Sequence, residues 1–247
     1  MQEQKFSAII LAGGTSSRMR FETEIPKQCL AVIGNKSMIK YQIEWLNSCG
    51  IVDITLATNN ETYDYILNHM PYIFKKVHTS IEETKLDTGG AIRNAVENIV
   101  KTDNVYFMNV DDFIFSEFYT PDQLVSKIDS FYGAVLTSRG TFPYGVLKTK
   151  GECVTGFEQK PVIDTKVYAG HGAFKCSYIL SKFPKIGSFE SMTLPTMTKK
   201  RELTFMDLDG EWLTANTYKE LKTVQEKLLP YEDIKKYGSY ALRQVQQ

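Results

Sequence analysis

The chain has 247 residues, enough to bury one sizeable core, and a single α/β domain is expected. Its 29 lysines and arginines balance 29 aspartates and glutamates, so no net positive field draws nucleic acid or an anionic membrane, and a small-molecule substrate is expected instead. No stretch approaches the roughly 20 apolar residues of a membrane helix, and "FSAIILA" is too short and too weakly flanked by charge for a signal peptide, so a cytoplasmic location is expected.

In chain order, AIILA (8–12) forms the first expected strand and runs into GGTSSRMR, followed by PKQ at 26–28. SMIKYQIEWLNSCG (37–50) spaces Met38, Ile39, Ile43 and Leu46 as one helix face and ends on Gly50, where a helix C-terminus favours glycine. IVDITLAT (51–58) and ETYDYILNHM (61–70) repeat the strand–helix unit. YIFKKVHT (72–79) resembles a further strand and GGAIRNAVENIV (89–100) a further helix. Continuous apolar strands of this kind belong to a parallel sheet covered by crossover helices. NVYFMNV (104–110) is the expected buried central strand, ending in Asp111-Asp112.

Beyond it, GAVLTS, YGVLKT, CVTGFEQ and YAGHGAFKC are short candidate strands, so the sheet should become mixed. ELTFMDLDGEWLTAN carries Asp209-Gly210 between two short strands, a hairpin signal. Cys29, Cys49, Cys153 and Cys176 show no CxxC spacing and His69, His78 and His171 lie far apart, which leaves no zinc signature and points to buried free thiols. The aromatic residues are expected to fill the core and a subunit interface of a possible homo-oligomer.

In a doubly wound sheet, ligands collect at the C-terminal ends of the strands, and three unusual stretches fall there. After the first strand, Gly13 and Gly14 allow backbone N–H groups to approach an anion, while Arg18 and Lys27 supply mobile positive charge. The spacing is neither that of the P-loop nor G-x-G-x-x-G, and a plain basic turn is the alternative. In KLDTGGAIRNA (85–95), Thr88, Gly89 and Gly90 open a helix whose free N–H groups and small residues would admit a base or a phosphate. The alternative there is a cap at Thr88 followed by two permissive glycines. In NVDDF (109–113), carboxylates ending a buried strand call for a hard ion such as Mg²⁺ bridging substrate phosphates, the alternative being a solvated turn.

Together, LAGGTSSRMR with PKQ, LDTGGAIRNA, NVDDF, YGVLK (144–148) and FEQKP (157–161) resemble, in order, the motifs of nucleotidyltransferases that join a nucleoside triphosphate to a sugar 1-phosphate. The resemblance implies a Rossmann-like three-layer domain of glycosyltransferase-A type, with a mixed, mostly parallel sheet. Its nucleotide-binding half would span 1–113, its acceptor-binding half 114–230 and a C-terminal tail 231–247. It further implies that Leu11, Ala12, Gly13, Gly14, Thr15, Arg18 and Lys27 hold the triphosphate, with Arg18 on the leaving pyrophosphate and Lys27 near the attacked phosphate. Thr88, Gly89 and Gly90 would meet the nucleotide, Gly90 facing the base. Gly145, Gln159, Lys160 and Gly170 would bind the acceptor, Lys160 its phosphate. Asp111 would bind Mg²⁺.

The chain departs from the motifs at Asp87, Gln159 and Tyr168, and at Thr214, where a second metal aspartate is usual. Asn216 offers a second registration as metal ligand, with a helix cap as its alternative, Thr217 competing for that cap. PKQCLAVIGNKSMI also resembles cytidylyltransferases acting on polyol phosphates, which keeps that chemistry as an alternative acceptor class. The missing aspartate at 214 suggests a second alternative, a regulatory nucleotide-sugar binder. Against it stand Arg18, Lys27, Asp111 and Lys160, all present.

Overall fold

The fold is taken from a computed structural model, which describes residues 6–14, 19 and 23–234. Thr15 and Arg18 lie outside the described residues. The strand–helix alternation holds: β1 (Ser7–Ala12), β2 (Ala31–Ile33), β3 (Lys36–Ser37), α1 (Met38–Ser48), β4 (Ile54–Asn59), α2 (Asn60–His69), β5 (His78–Glu82), α3 (Asp87–Asn98), β6 (Asn104–Asn109) and β7 (Asp112–Phe115). The second half contributes α4 (Pro121–Ser126), β8 (Gly133–Thr141), β9 (Gly145–Lys150), β10 (Cys153–Gln159), β11 (Val162–Lys175), α5 (Cys176–Lys182), α6 (Leu194–Lys200), β12 (Leu203–Asp207), β13 (Glu211–Thr214) and α7 (Tyr218–Ile234).

Seven strands form the central sheet in the order β12-β8-β11-β6-β1-β4-β5. β5, β4, β1 and β6 are mutually parallel. β11 enters antiparallel between β6 and β8, which makes the sheet mixed, as the short strands of the second half suggested. The order reverses at β1, where β4 lies on one side and β6 on the other, and that reversal is the crevice in which an open α/β sheet binds ligands.

Successive side chains of a strand point to opposite faces, and the two cores follow that alternation. Ala8 and Ile10 of β1 with Tyr106 and Met108 of β6 pack into one layer under α1 and α7. Ile9, Val105 and Phe107 pack into the other, against Ile92 and Ala95 of α3 and a ring cluster in which Phe174 stacks on Phe107 and meets the stacked pair Phe183–Phe189 edge-on. Local chemistry sets the helix ends. The Ser37 hydroxyl accepts from Lys40 N at 3.2 Å to start α1, Gly50 takes φ +83° just after its end, and Asn59 caps α2 by accepting from Thr62 N at 2.8 Å.

Three expectations change. The strand expected over 72–79 begins only at His78, because Pro71 sets a 3₁₀ turn through Lys75 in which Ile73 is buried and Phe74 packs on Tyr63 at 4.8 Å. The Asp209-Gly210 hairpin does not form. β12 pairs parallel with β8 in the central sheet while β13 pairs antiparallel with β7, so the turn carries the chain between two sheets. Of the four free cysteines, Cys29 and Cys176 are buried, their thiols pushed up to about 12 by that burial, but Cys153 is exposed at the start of β10. Among the described residues no helix is long and apolar enough to cross a membrane.

Candidate active site

The site is built at the C-terminal ends of β1, β4, β5 and β6. β1 delivers Leu11 and Ala12 and then Gly13 and Gly14. The loop is fastened from below by Gln28, whose buried amide nitrogen donates to Ala12 O at 2.9 Å and to the Thr62 hydroxyl. Asn59 Nδ2 donates to Gly13 O at 2.8 Å. A Cβ at Gly13 would overlap the Glu82 carboxylate, whereas one at Gly14 would meet nothing within 4 Å. The first glycine therefore permits close packing, and the second presents open backbone to a ligand.

Lys27 follows Pro26 (φ −53°) and opens a 3₁₀ turn, so its backbone is fixed while its side chain extends across the crevice. Its ammonium donates to the Asp111 carboxylate and lies 3.4 Å from Asn216 Oδ1. Both Lys27 and Asp111 side chains are 15% exposed. Ala215 N donates to Asp111 O at 2.9 Å, tying the end of β13 to the end of β6.

Asn216 does not cap α7. Thr217 does: its hydroxyl accepts from Glu220 N at 3.3 Å, and Glu220 Oε2 accepts in return from Asn216 N and Thr217 N at 3.0 Å each, a capping box. The Asn216 amide nitrogen donates instead to Thr214 Oγ1 at 2.6 Å, which turns its carbonyl oxygen toward Lys27. A carboxylate oxygen and an amide oxygen facing one cationic centre form an all-oxygen donor set suited to a hard divalent ion. Among the described residues no three His, Cys, Asp or Glu side chains form a closed metal cage.

The two aspartates of NVDDF part company. Asp111 faces the crevice, while Asp112 is 4% exposed and turned inward, accepting from Asn109 Nδ2 at 2.8 Å and Trp212 Nε1 at 2.9 Å. Burial, then the charge of Asp111, push its carboxyl up to about 7. Gly170, with φ +76°, lies against this carboxylate, which fills the room a Cβ would need.

The α3 start differs from expectation. Thr88 is not a cap: its hydroxyl donates to Glu190 Oε2 at 2.6 Å and accepts from Phe189 N at 2.9 Å. The N–H groups of Gly89 and Gly90 are engaged by Gly187 O at 3.0 and 3.2 Å, and a Cβ on either glycine would collide with the 184–189 segment. These glycines admit protein backbone. A cavity of about 250 Å³ opens between the ends of β1, β4 and β5, lined by Gly13, Asn59, Glu61, Glu82, Thr84 and Lys85. Three carboxylates line it, those of Glu61, Glu82 and Glu83; that of Glu82 is held by Leu86 N at 2.9 Å and raised by burial.

Gly145, Gln159 and Lys160 lie in the exposed β9–β10 hairpin and its end, a two-stranded sheet separate from the central one. Gly145 leaves room that the Phe157 ring fills, and Lys160 takes φ +51°. Sequence reasoning did not reach Gln28, Thr214 as the residue that aims Asn216, or Glu82. Gln28 stands in the quoted PKQ and was legible in principle as the buried partner of a glycine loop.

A model of the nucleotidyl transferase family matches residues 7–212. The chain is 28% identical over 226 residues to a mannose-1-phosphate guanyltransferase of Neurospora crassa, covering 87% of this chain and 62% of that protein. It is 30% identical over 224 residues to the same enzyme of Gibberella zeae, covering 86% and 61%. The chain thus spans about three fifths of the length of these relatives. HddC from Yersinia pseudotuberculosis shares the fold with a TM-score of 0.70 at 20% identity, over 90% of this chain and 99% of that one. A putative glucose-1-phosphate thymidylyltransferase from Bacillus anthracis does so with 0.66 at 21%, over 90% and 94%. With the family model covering most of the chain and its motifs gathered at the strand ends, the chain belongs to the nucleotidyl transferase family.

Proposed function

We infer that this chain transfers a nucleoside monophosphate from a nucleoside triphosphate to a sugar 1-phosphate, giving a nucleoside diphosphate sugar and pyrophosphate. The observation that carries this reading is the convergence of Lys27, Asp111 and Asn216, with the glycine loop fastened by Gln28, the residue after Lys27. The names of the relatives favour a sugar phosphate over a polyol phosphate, and an intact charged cluster favours turnover over a purely binding role. In the reaction an oxygen of the acceptor phosphate attacks the α-phosphorus, and the bond from that phosphorus to the oxygen bridging to the β-phosphate breaks. The attacking oxygen is already anionic, so no general base is required, and catalysis rests on positioning and charge.

Lys27, freed from Asp111, reaches the α-phosphate, and Asp111 and Asn216 would hold Mg²⁺. The ion, when bound, neutralises triphosphate oxygens. Residues 1–113 serve the nucleotide and 114–230 the acceptor, with Lys160 on the acceptor phosphate. Guanine suits the cavity beside Gly13, because its N1–H and 2-amino group present two adjacent donors to the Glu82 carboxylate. The other common bases present a donor next to an acceptor. A matrix of nucleoside triphosphates against phosphorylated sugars and polyols, followed by pyrophosphate release with and without EDTA, tests the reading. Metal-dependent release with GTP and a hexose 1-phosphate is expected. No release with any pair would refute it.

A further inference from the structure

Asp112 has no part in the transfer just described, yet it is the one buried carboxylate among the described residues. Its surroundings are built for it. Oδ2 accepts from Asn109 Nδ2 at 2.8 Å and Oδ1 from Trp212 Nε1 at 2.9 Å. Its backbone oxygen accepts from Gln42 Nε2 at 2.8 Å, and Gly170 adopts φ +76° with no Cβ to crowd it. Every donor is neutral. A buried carboxylate met only by neutral donors is an expensive way to fill space, since an apolar side chain would do so without desolvation.

What the carboxylate joins explains the arrangement. Trp212 lies on β13, which pairs with β7 so that Thr214 stands opposite Asp112. The next residue, Ala215, donates to Asp111 O, and the one after it is Asn216. Pinning Trp212 therefore fixes where β13 ends and where Asn216 begins. Asp111 lies in the turn between β6 and β7, so anchoring Asp112, the first residue of β7, and Asn109, the last of β6, fixes both ends of the turn that carries it.

We propose that Asp112 is a positioning residue: by pinning Trp212 and Asn109 from inside the fold, it sets the spacing between the Asp111 and Asn216 oxygens that receive the divalent cation. This rests on the metal-site reading given under Proposed function. It predicts that the pattern of hydrogen bonds at 112 matters, beyond the presence of a polar side chain. In Asp112→Asn one carboxylate oxygen becomes an NH₂ group, so that either it faces a donor or the Asn109 amide must turn over from its wild-type orientation to accept from it. Exchanging the two side chains, as Asn109→Asp with Asp112→Asn, restores a donor facing an acceptor and leaves an oxygen for Trp212.

The test compares wild type, Asp112→Asn, Trp212→Phe and the exchanged double variant. Mn²⁺ binding in the presence of a non-hydrolysable guanosine triphosphate analogue is read from the electron paramagnetic resonance of the free ion. Half-saturating Mg²⁺ and the KM of the acceptor come from pyrophosphate release. Loss of a group that orients a metal ligand weakens metal binding by about tenfold or more. That loss is expected in Asp112→Asn, a smaller one in Trp212→Phe, with acceptor KM nearly unchanged and the double variant back within about threefold of wild type. Unchanged Mn²⁺ affinity in a folded Asp112→Asn or Trp212→Phe protein overturns the proposal, as does failure of the exchange to restore binding. Should Asp112→Asn not fold, Trp212→Phe and the double variant decide alone. Release of pyrophosphate by the wild type without any metal requirement would instead overturn the parent metal-site reading.

Discussion

At Lys27 a single ammonium group serves two carbonyl or carboxylate oxygens in the free protein and, in the proposed reaction, a phosphate. Removing one preorganised charge at a transferring phosphoryl group costs a few kcal/mol, so Lys27→Ala should lower turnover about 10²-fold while its melting temperature stays close to wild type. Because Thr217 and Glu220 carry the cap of α7, changes at Asn216 should leave stability alone. Asn216→Asp should lower the Mg²⁺ needed for half-maximal activity and Asn216→Ser should raise it, while both melt with the wild type. Two buried groups oppose each other in acid. Asp112, raised to about 7, keeps a proton that the unfolded chain releases above about pH 4, so rising pH removes stability until about 7. His171 is wholly buried and its imidazole is lowered by that burial to about 3, so below its unfolded value of about 6.5 the unfolded chain binds a proton that the fold refuses, and rising pH adds stability. Each slope is at most about 1.4 kcal/mol per pH unit. Asp112→Asn removes only the first, so its unfolding free energy should gain on wild type between pH 4.5 and 6.5, roughly the window those values bracket. Denaturant titrations at both pH values measure the difference, and a pH-independent difference would contradict the assignment.

At the scale of elements, the glycines of α3 are packing residues first. A Cβ at Gly90 would meet Lys185 O at 2.5 Å, so Gly90→Ala should destabilise the fold by about 1–3 kcal/mol, seen as a lower denaturant midpoint, with base preference unchanged. The pattern of the sequence made β1, α1, β4, α2, α3 and β6 legible, because alternation and helical spacing are local properties recorded in consecutive residues. It misled where the outcome depends on distant partners. Asp209-Gly210 has hairpin chemistry, yet β12 finds β8 and β13 finds β7, each a strand formed far earlier in the chain. The same limit applied to the site. Motifs located Lys27, Asp111 and Asn216, but only packing shows that Asp112 turns away, that Gly187 occupies the amides of α3, and that Thr214, lacking a carboxylate, aims its neighbour's carbonyl. Gly145 and Lys160, read as acceptor contacts, stand on the β9–β10 hairpin and just beyond it, a pairing that consecutive residues alone did not reveal.

For the molecule as a whole, the central sheet is one continuous platform on its β5 side and a split one on its β8 side. β11 is responsible. Its inner residues His171–Lys175 are hydrogen-bonded to β6, and Gly172–Phe174 also pair with β8. Its outer residues Val162 and Lys166–Tyr168 pair with β8 alone, and the register shifts once within this stretch, between Val162 and Lys166, and again between Tyr168 and Gly172. Gly170, seated on Asp112, marks the step between the two. One strand should therefore show two rates of amide hydrogen exchange. The inner amides should exchange only through global unfolding, while the outer ones and those of β9 and β10 should exchange through a local opening that leaves the sheet intact. Deuterium uptake resolved along β11 would reveal a break near residue 170, and uniform protection from 162 to 175 would exclude it. With such a break, the hairpin bearing Gly145, Gln159 and Lys160 becomes an arm hinged on β11 near Gly170, free to swing while His171–Lys175 stay locked against β6.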